Sequence, residues 1–381
     1  MDAEVGVIGI GTMGSMAMWQ LARRGVSVLG FEQFGIGHDY SAAGGESRVF
    51  RTAYGEGAEY VPLLKAAYRQ WRELERETKQ NLLHLNGGLM IGSPKSAFMK
   101  NVMKSARSFN LDHETLSREE AKIHYPQHRL LPGEMMVLDR EAGYIRPELA
   151  VVSAAKRAEQ LGAKIHKFSR VESIEPQKNR VKIRANGIDY TVGQVLIASG
   201  PWTGAMVPGL KQQLSIRRLV MTWYTAKNLS EFKPDQFPVF IRESKEEKFY
   251  GAPSVDGSMV KVAVYMNYGI LEDADQLSRT VNTQDLSRVR NVVSEFLPGL
   301  YPDPVRVGVY MDLFTTDEHS IVGKLPGHDN IILLSGFSGH GFKLAPAIGG
   351  IAADIVMGLR NEYSINHLSP KRFSPESNQF F

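Results

Sequence analysis

Six residues near the start of the chain, Gly9-Ile10-Gly11-Thr12-Met13-Gly14, carry the clearest chemical signal. They follow a short apolar run, 5–10, and precede a stretch in which Ala17, Met18, Leu21 and Ala22 recur at helical spacing. Gly25 closes that helix, and a second apolar run over 26–31 ends in Glu32. Strand, glycine turn, helix, strand and acid is the order of a dinucleotide-binding βαβ unit. Gly9 permits the tight turn, Gly11 lets the backbone approach a pyrophosphate, and Gly14 lets the helix lie close to the strand. The helix N-terminus offers free N–H groups and partial positive charge to phosphates. Glu32 stands 18 residues beyond Gly14, where a carboxylate can accept a ribose hydroxyl.

A second signal is Lys261, inside the apolar run Met259-Val260-Lys261-Val262-Ala263-Val264. A lysine in such a strand is rarely fully buried without a reason, and alternation puts it on the face of Ala263 and Tyr265. Other chemistries are excluded or weakly supported. With no cysteine there are no disulfides, thiolate metal sites, iron–sulfur clusters or cysteine nucleophiles. The 10 histidines show no ligand pattern; His124 and His128 have helical spacing, but Pro126 between them breaks a helix. No metal is expected.

Composition places these residues in a globular chain of 381 residues, 43% hydrophobic and 23% charged. The 45 basic and 41 acidic residues leave a net charge of +4, scattered without a basic stripe, so no nucleic-acid partner is expected. The longest late apolar run, 345–359, contains Pro346 and Asp354 and is no membrane span. The N-terminus lacks a basic n-region and reads as a strand, so a soluble, cytoplasmic protein is expected.

Helical patterns fall at 59–79, 97–109, 117–123, 147–161, 286–296 and 347–359, with a capping box at Ser117 and Glu120. A strand reading covers 82–91, short strands lie between 164 and 198, and 216–266 is β-rich. The segment from Ser369 reads as a loose polar tail. Parallel-type βαβ pieces separated by β-rich blocks predict a mixed α/β (α+β) fold of two interleaved domains. The expected division is 1–85, 145–215 and 315–381 for a Rossmann-like dinucleotide domain, and 86–144 with 216–314 for a substrate domain.

Several blocks then resemble one family. Ser47-Arg48-Val49-Phe50-Arg51-Thr52-Ala53-Tyr54-Gly55-Glu56-Gly57, with Glu59-Tyr60-Val61-Pro62-Leu63, is similar to monomeric sarcosine oxidase and N-methyltryptophan oxidase. So are Gly143-Tyr144-Ile145-Arg146-Pro147-Glu148-Leu149-Ala150, the run from Leu325 to Asn330, and the block from Ser335 to Lys343. The likeness runs from the first strand to about Leu359.

The resemblance implies an FAD-dependent oxidase of the D-amino-acid-oxidase-like group. Such an enzyme takes a hydride equivalent from a carbon beside nitrogen, leaves an imine to hydrolyse, and passes the electrons to O2 to give hydrogen peroxide. It implies that Arg51 and Lys343 hold a substrate carboxylate, and that Arg48 lies near the flavin ring. Lys261 would promote reaction with O2, because a cation in a dry site stabilises superoxide. FAD contacts are expected from Gly9, Gly11, Thr12, Met13, Gly14, Glu32, Gln33, Arg48, Val171, Gly200 and Trp202. Near the C-terminus, Gly339, His340, Gly341 and Lys343 join them, their turn opening onto the last helix.

Three positions depart from the family. Its flavin-linked cysteine corresponds to Tyr310, so FAD must be held without a thioether. A family histidine at the substrate is replaced by Tyr265, and a family tyrosine by Asp312, a carboxylate that could meet a second amine or hydroxyl. Tyr250 is retained and expected to line the pocket. A monomeric oxidase of a secondary, N-methyl or other N-alkyl, amino acid other than sarcosine, or of a related amine, is expected. The alternatives are a dehydrogenase that ignores O2, a primary amino acid oxidase, a flavin-dependent nucleic-acid modification enzyme, and a flavin-binding protein without turnover.

Overall fold

The structure is a computed structural model that describes residues 1–53, 58–245, 247–373 and 380. Tyr54, Gly55, Glu56 and Gly57 of the first family block lie outside the described residues.

The apolar start folds as a strand, Ala3–Ile8, and the glycine turn leads into a helix, Thr12–Arg23, as the periodicity requires. This strand is central in an eight-stranded sheet, parallel to Val28–Phe31 on one side and Ile188–Ile197 on the other. Lys164–His166 extends the sheet beyond Val28–Phe31, and His328–Ser335 joins in parallel to the end of Ile188–Ile197. Its strands therefore come from the start, middle and end of the chain. The helices Thr12–Arg23, Pro147–Gln160 and Ala345–Val356, with Val61–Thr78, form the largest apolar core. Gly349 explains how two of them approach so closely: a Cβ there would lie 2.7 Å from the Met16 backbone. This is a mixed α/β fold with a Rossmann-like unit.

A nine-stranded sheet gathers Gly88–Gly92, His113–Leu116 and Met135–Asp139 with the strands between Leu214 and Thr315. Its longest pairing joins Leu214–Tyr224 to Arg306–Thr315, which puts Asp312 opposite Arg217. Val260–Val264 lies between Leu214–Tyr224 and Glu247–Ala252.

Two expectations need correction. The 82–91 strand is two short ones, Leu83–His84 and Gly88–Gly92, in different sheets. Gly87, at φ +84°, turns the chain between them, and Leu83–His84 joins a small sheet with Arg48–Phe50 and Gly143–Ile145. The segment after Ser369 is not loose where it is described. The turn Pro370–Phe373 docks through Arg372, which bonds Asp317 at 2.7 Å, and Phe380 is buried. Spacing showed the polar residues but not the partner that holds them.

The short helix Arg118–His124 has the expected capping box and ends before Pro126, so His124 and His128 share no helix face. His128 is instead buried and stacked on Phe237 at 5.1 Å, and burial, with nearby Arg242, pulls its pKa down to about 3. The unfolded chain binds a proton at this residue below pH ~6.5, whereas the folded chain does not until about pH 3. Stability is therefore lost as pH falls through that window. Replacing His128 by Phe is expected to move the midpoint of acid unfolding, followed by circular dichroism, to lower pH.

Candidate active site

The three glycines of the N-terminal turn meet three different surroundings. Gly9 has φ +85°, and a Cβ at Gly14 would lie 1.8 Å from the Gly9 carbonyl oxygen, so only glycine lets the helix begin this close to the strand. At Gly11 a Cβ would meet nothing within 4 Å. The space beside it is a cavity of about 450 Å³ that runs along the C-terminal edge of the parallel strands. That is where ligands of open α/β sheets sit.

Thr12, Met13, Glu32, Gln33, Val171, Gly200 and Trp202 line this cavity with Gly9 and Gly11, and Gly339 and Gly341 line it from the C-terminal turn. Gly14 contributes packing rather than lining. Glu32 is buried; its carboxylate accepts the N–H of Ile10 at 2.9 Å and of Phe34 at 3.0 Å. His38 faces it at 3.4 Å, a neighbour that sequence spacing did not suggest.

A second cavity, of about 580 Å³, adjoins the first; Arg48, Asp312, Gly339 and Phe342 line both. Arg51, Tyr250, Tyr265, His340 and Lys343 line the second. His340 and Lys343 line the second cavity and not the first. Arg51 and Lys343 are 1% and 6% exposed, so two cations far apart in sequence are desolvated around one space.

Each cation is placed by contacts that sequence spacing did not suggest. The buried carboxylate of Asp139, ending the Met135–Asp139 strand, accepts the backbone N–H of Thr52 and Ala53, both at 2.9 Å, and fixes the chain after Arg51. Trp71 of the Val61–Thr78 helix donates its indole N–H to the Lys343 carbonyl at 3.0 Å and stacks on Phe342. The Lys343 ammonium donates to the His340 carbonyl at 2.8 Å.

Arg48 folds back over its own loop, donating to the carbonyls of Ser47, Ala42 and Gly44. Tyr250 and Tyr265 face each other at 4.9 Å. Asp312 already has work: one oxygen accepts the N–H of Leu313 at 2.8 Å and the other that of Gly339 at 3.0 Å. It ties the C-terminal glycine turn to the strand, so a ligand reaches only its remaining lone pairs. Burial pushes its pKa up to about 6 against the pull of those two bonds.

Lys261 lines neither cavity. It is 2% exposed and donates to the carbonyls of Gly45 at 2.9 Å and Ser47 at 3.1 Å. The ends of that loop, Ala42 and Arg48, line both cavities. Burial first, then the nearby Arg48 charge, pushes the Lys261 pKa well below its ordinary value.

A family model described as FAD-dependent oxidoreductase matches residues 4–355. The chain belongs to the FAD-dependent oxidoreductase family. Monomeric sarcosine oxidase of Streptomyces avermitilis is 32% identical over 97% of this chain and 98% of that protein. N-methyl-L-tryptophan oxidase of Salmonella enteritidis is 30% identical over 98% of this chain and 100% of that protein. NikD, an unusual amino acid oxidase essential for nikkomycin biosynthesis, superimposes with a TM-score of 0.85 at 21% identity, over 97% of each chain.

The first cavity fits the family's cofactor. It has an open glycine at a helix N-terminus for phosphates, a buried carboxylate at the second strand for a ribose, and no cysteine for a covalent link. FAD is therefore held without a thioether. Gly11→Val separates binding from packing: its side chain enters open space, so the apoprotein's melting temperature should be unchanged. FAD affinity, measured by flavin fluorescence quenching, should fall by about tenfold or more. A loss of stability without a loss of affinity would contradict this assignment.

Among the described residues no helix is long and apolar enough to cross a membrane, and no group of acidic or histidine side chains is arranged to hold a metal ion.

Proposed function

We propose that the chain is an oxidase of secondary amino acids, N-methyl or otherwise N-alkyl, with a side chain larger than that of sarcosine. The observation that supports this most is the pairing of buried Arg51 and Lys343 around a cavity that adjoins the FAD site. Two desolvated cations favour a ligand that brings a carboxylate. The names of the two oxidases similar to this chain, for sarcosine and for N-methyl-L-tryptophan, agree with such a substrate. The cavity's size and its tyrosines, Tyr250, Tyr265 and Tyr268, leave room for a side chain.

In this reading Arg51 grips the carboxylate through two parallel N–H bonds and Lys343 adds a point charge. Tyr250 and Tyr265, on the same cavity, stand beside the substrate. Bound FAD supplies the acceptor for a hydride equivalent and the route of two electrons to O2. The substrate's CH–NH unit becomes C=N by loss of two electrons and two protons. O2 takes up two electrons and two protons as hydrogen peroxide, and water hydrolyses the imine. Lys261 supports the oxygen step by holding positive charge in a dry place.

A panel of N-methyl amino acids, cyclic imino acids, primary amino acids and amines, assayed for peroxide in air, tests the proposal. Secondary amino acids should lead. Turnover with an artificial dye but none with O2 would instead mark a dehydrogenase.

A further inference from the structure

Glu148 belongs to a block that the sequence singles out, yet it lines neither cavity. It sits in the first turn of the Pro147–Gln160 helix. One of its oxygens, Oε1, accepts two backbone N–H groups from a loop about a hundred residues earlier: Gly45 at 2.7 Å and Glu46 at 3.0 Å. Glu46 has φ +67°, a left-handed conformation that a non-glycine residue keeps only when its surroundings hold it.

The same peptide units are gripped from the carbonyl side. Lys261 takes the carbonyls of Gly45 and Ser47, and Arg48 those of Gly44 and Ser47. The Glu46 side chain accepts the Trp223 indole N–H at 2.8 Å and pairs with Arg306. Turning the loop would break amide and carbonyl contacts together.

We propose that Glu148 is a positioning residue for Lys261, fixing the carbonyls that the buried ammonium needs and supplying negative charge that favours its protonated form. This rests on the reading of Lys261 as the cation that assists O2.

Charged side chains from several elements surround Lys261. Arg48 from the loop and Arg306 from the Arg306–Thr315 strand oppose its protonation, as burial does. Glu46 from the loop and Glu148 from the helix favour it. The Trp223 ring, 5.6 Å away, adds a favourable π face. Removing the Glu148 charge leaves two cations against one carboxylate, so the ammonium should lose its proton at lower pH.

Because both N–H donors share Oε1, Glu148→Gln can keep the bonds while removing the charge, and Glu148→Ala removes both. The test compares these holoenzymes with wild type and Lys261→Met by two readouts. Hydrogen–deuterium exchange of the peptide spanning 42–50 reports the loop. The rate at which O2 reoxidises the reduced enzyme, followed against pH, reports the cation; anaerobic reduction by substrate is the internal reference.

E148A should speed exchange at Gly45 and Glu46 about tenfold or more and slow reoxidation. E148Q should keep most of the protection but move the high-pH loss of reoxidation down by roughly one pH unit, with reduction nearly unchanged. An E148Q profile that coincides with wild type, while K261M is slow, overturns the proposal. A K261M enzyme that reoxidises at the wild-type rate overturns the Lys261 reading itself, and the proposal with it.

Discussion

Arg51→Ala should raise KM and lower kcat/KM for N-methyl amino acids by about 10²- to 10³-fold, with FAD content unchanged. The guanidinium is 1% exposed, so a substrate carboxylate that enters exchanges water for it. Leaving such a charge without its buried partner costs about 3–5 kcal/mol, and each ~1.4 kcal/mol is tenfold. Lys343 limits the damage, since it lines the same cavity. Arg51→Lys should recover only part of the loss, because an ammonium cannot make the two parallel bonds of a guanidinium. The control is an N-alkyl amine without a carboxylate, whose slower turnover should be nearly insensitive to the substitution. Equal losses for both compounds would contradict the carboxylate role.

Lys261→Met should slow reoxidation by O2 by roughly 10²- to 10³-fold, the size expected when a preorganised charge is removed from developing negative charge in a dry site. Anaerobic reduction by substrate should change by no more than a few fold. The pH dependence gives a second signature. Burial and Arg48 lower the Lys261 pKa, so the cation is present at low pH and is lost as pH rises through that lowered value. Wild-type reoxidation should fall with rising pH, while the variant should be slow and flat. Stopped-flow mixing of the reduced enzyme with oxygenated buffer measures both.

The N-terminal unit was legible because its signal is local. Gly9, Gly11 and Gly14 act within a few residues of one another, and their distinct surroundings match the three mechanical tasks read from spacing. Strong apolar stripes predict helices at 59–79 and 97–109, within two residues of the ends of Val61–Thr78 and Ala97–Ser108. The run 82–91 reads as one strand because Leu82, Leu83, Leu85, Leu89, Met90 and Ile91 dominate it, yet His84, Asn86, Gly87 and Gly88 interrupt it and Gly87 turns the chain.

The anchors of the site were not legible, for they act across the fold. Asp139 holds the residues after Arg51 from 87 and 86 positions away, and Trp71 holds Lys343 from 272. No periodicity encodes such pairings. Asp312 shows the limit from the other side: its type suggested a ligand contact, whereas its geometry commits both oxygens first to backbone N–H groups. Glu148 carried a family-like signal in its block, but its partners became visible only when the helix was set against the loop.

Anaerobic mixing of the purified yellow holoenzyme with a racemic N-methyl amino acid that has a bulky side chain tests the central claim most directly. The flavin absorbance should bleach, return on admitting air with release of peroxide, and then pass wholly into the supernatant on acid precipitation. A colour that no secondary amino acid bleaches, though dithionite does, would contradict the account.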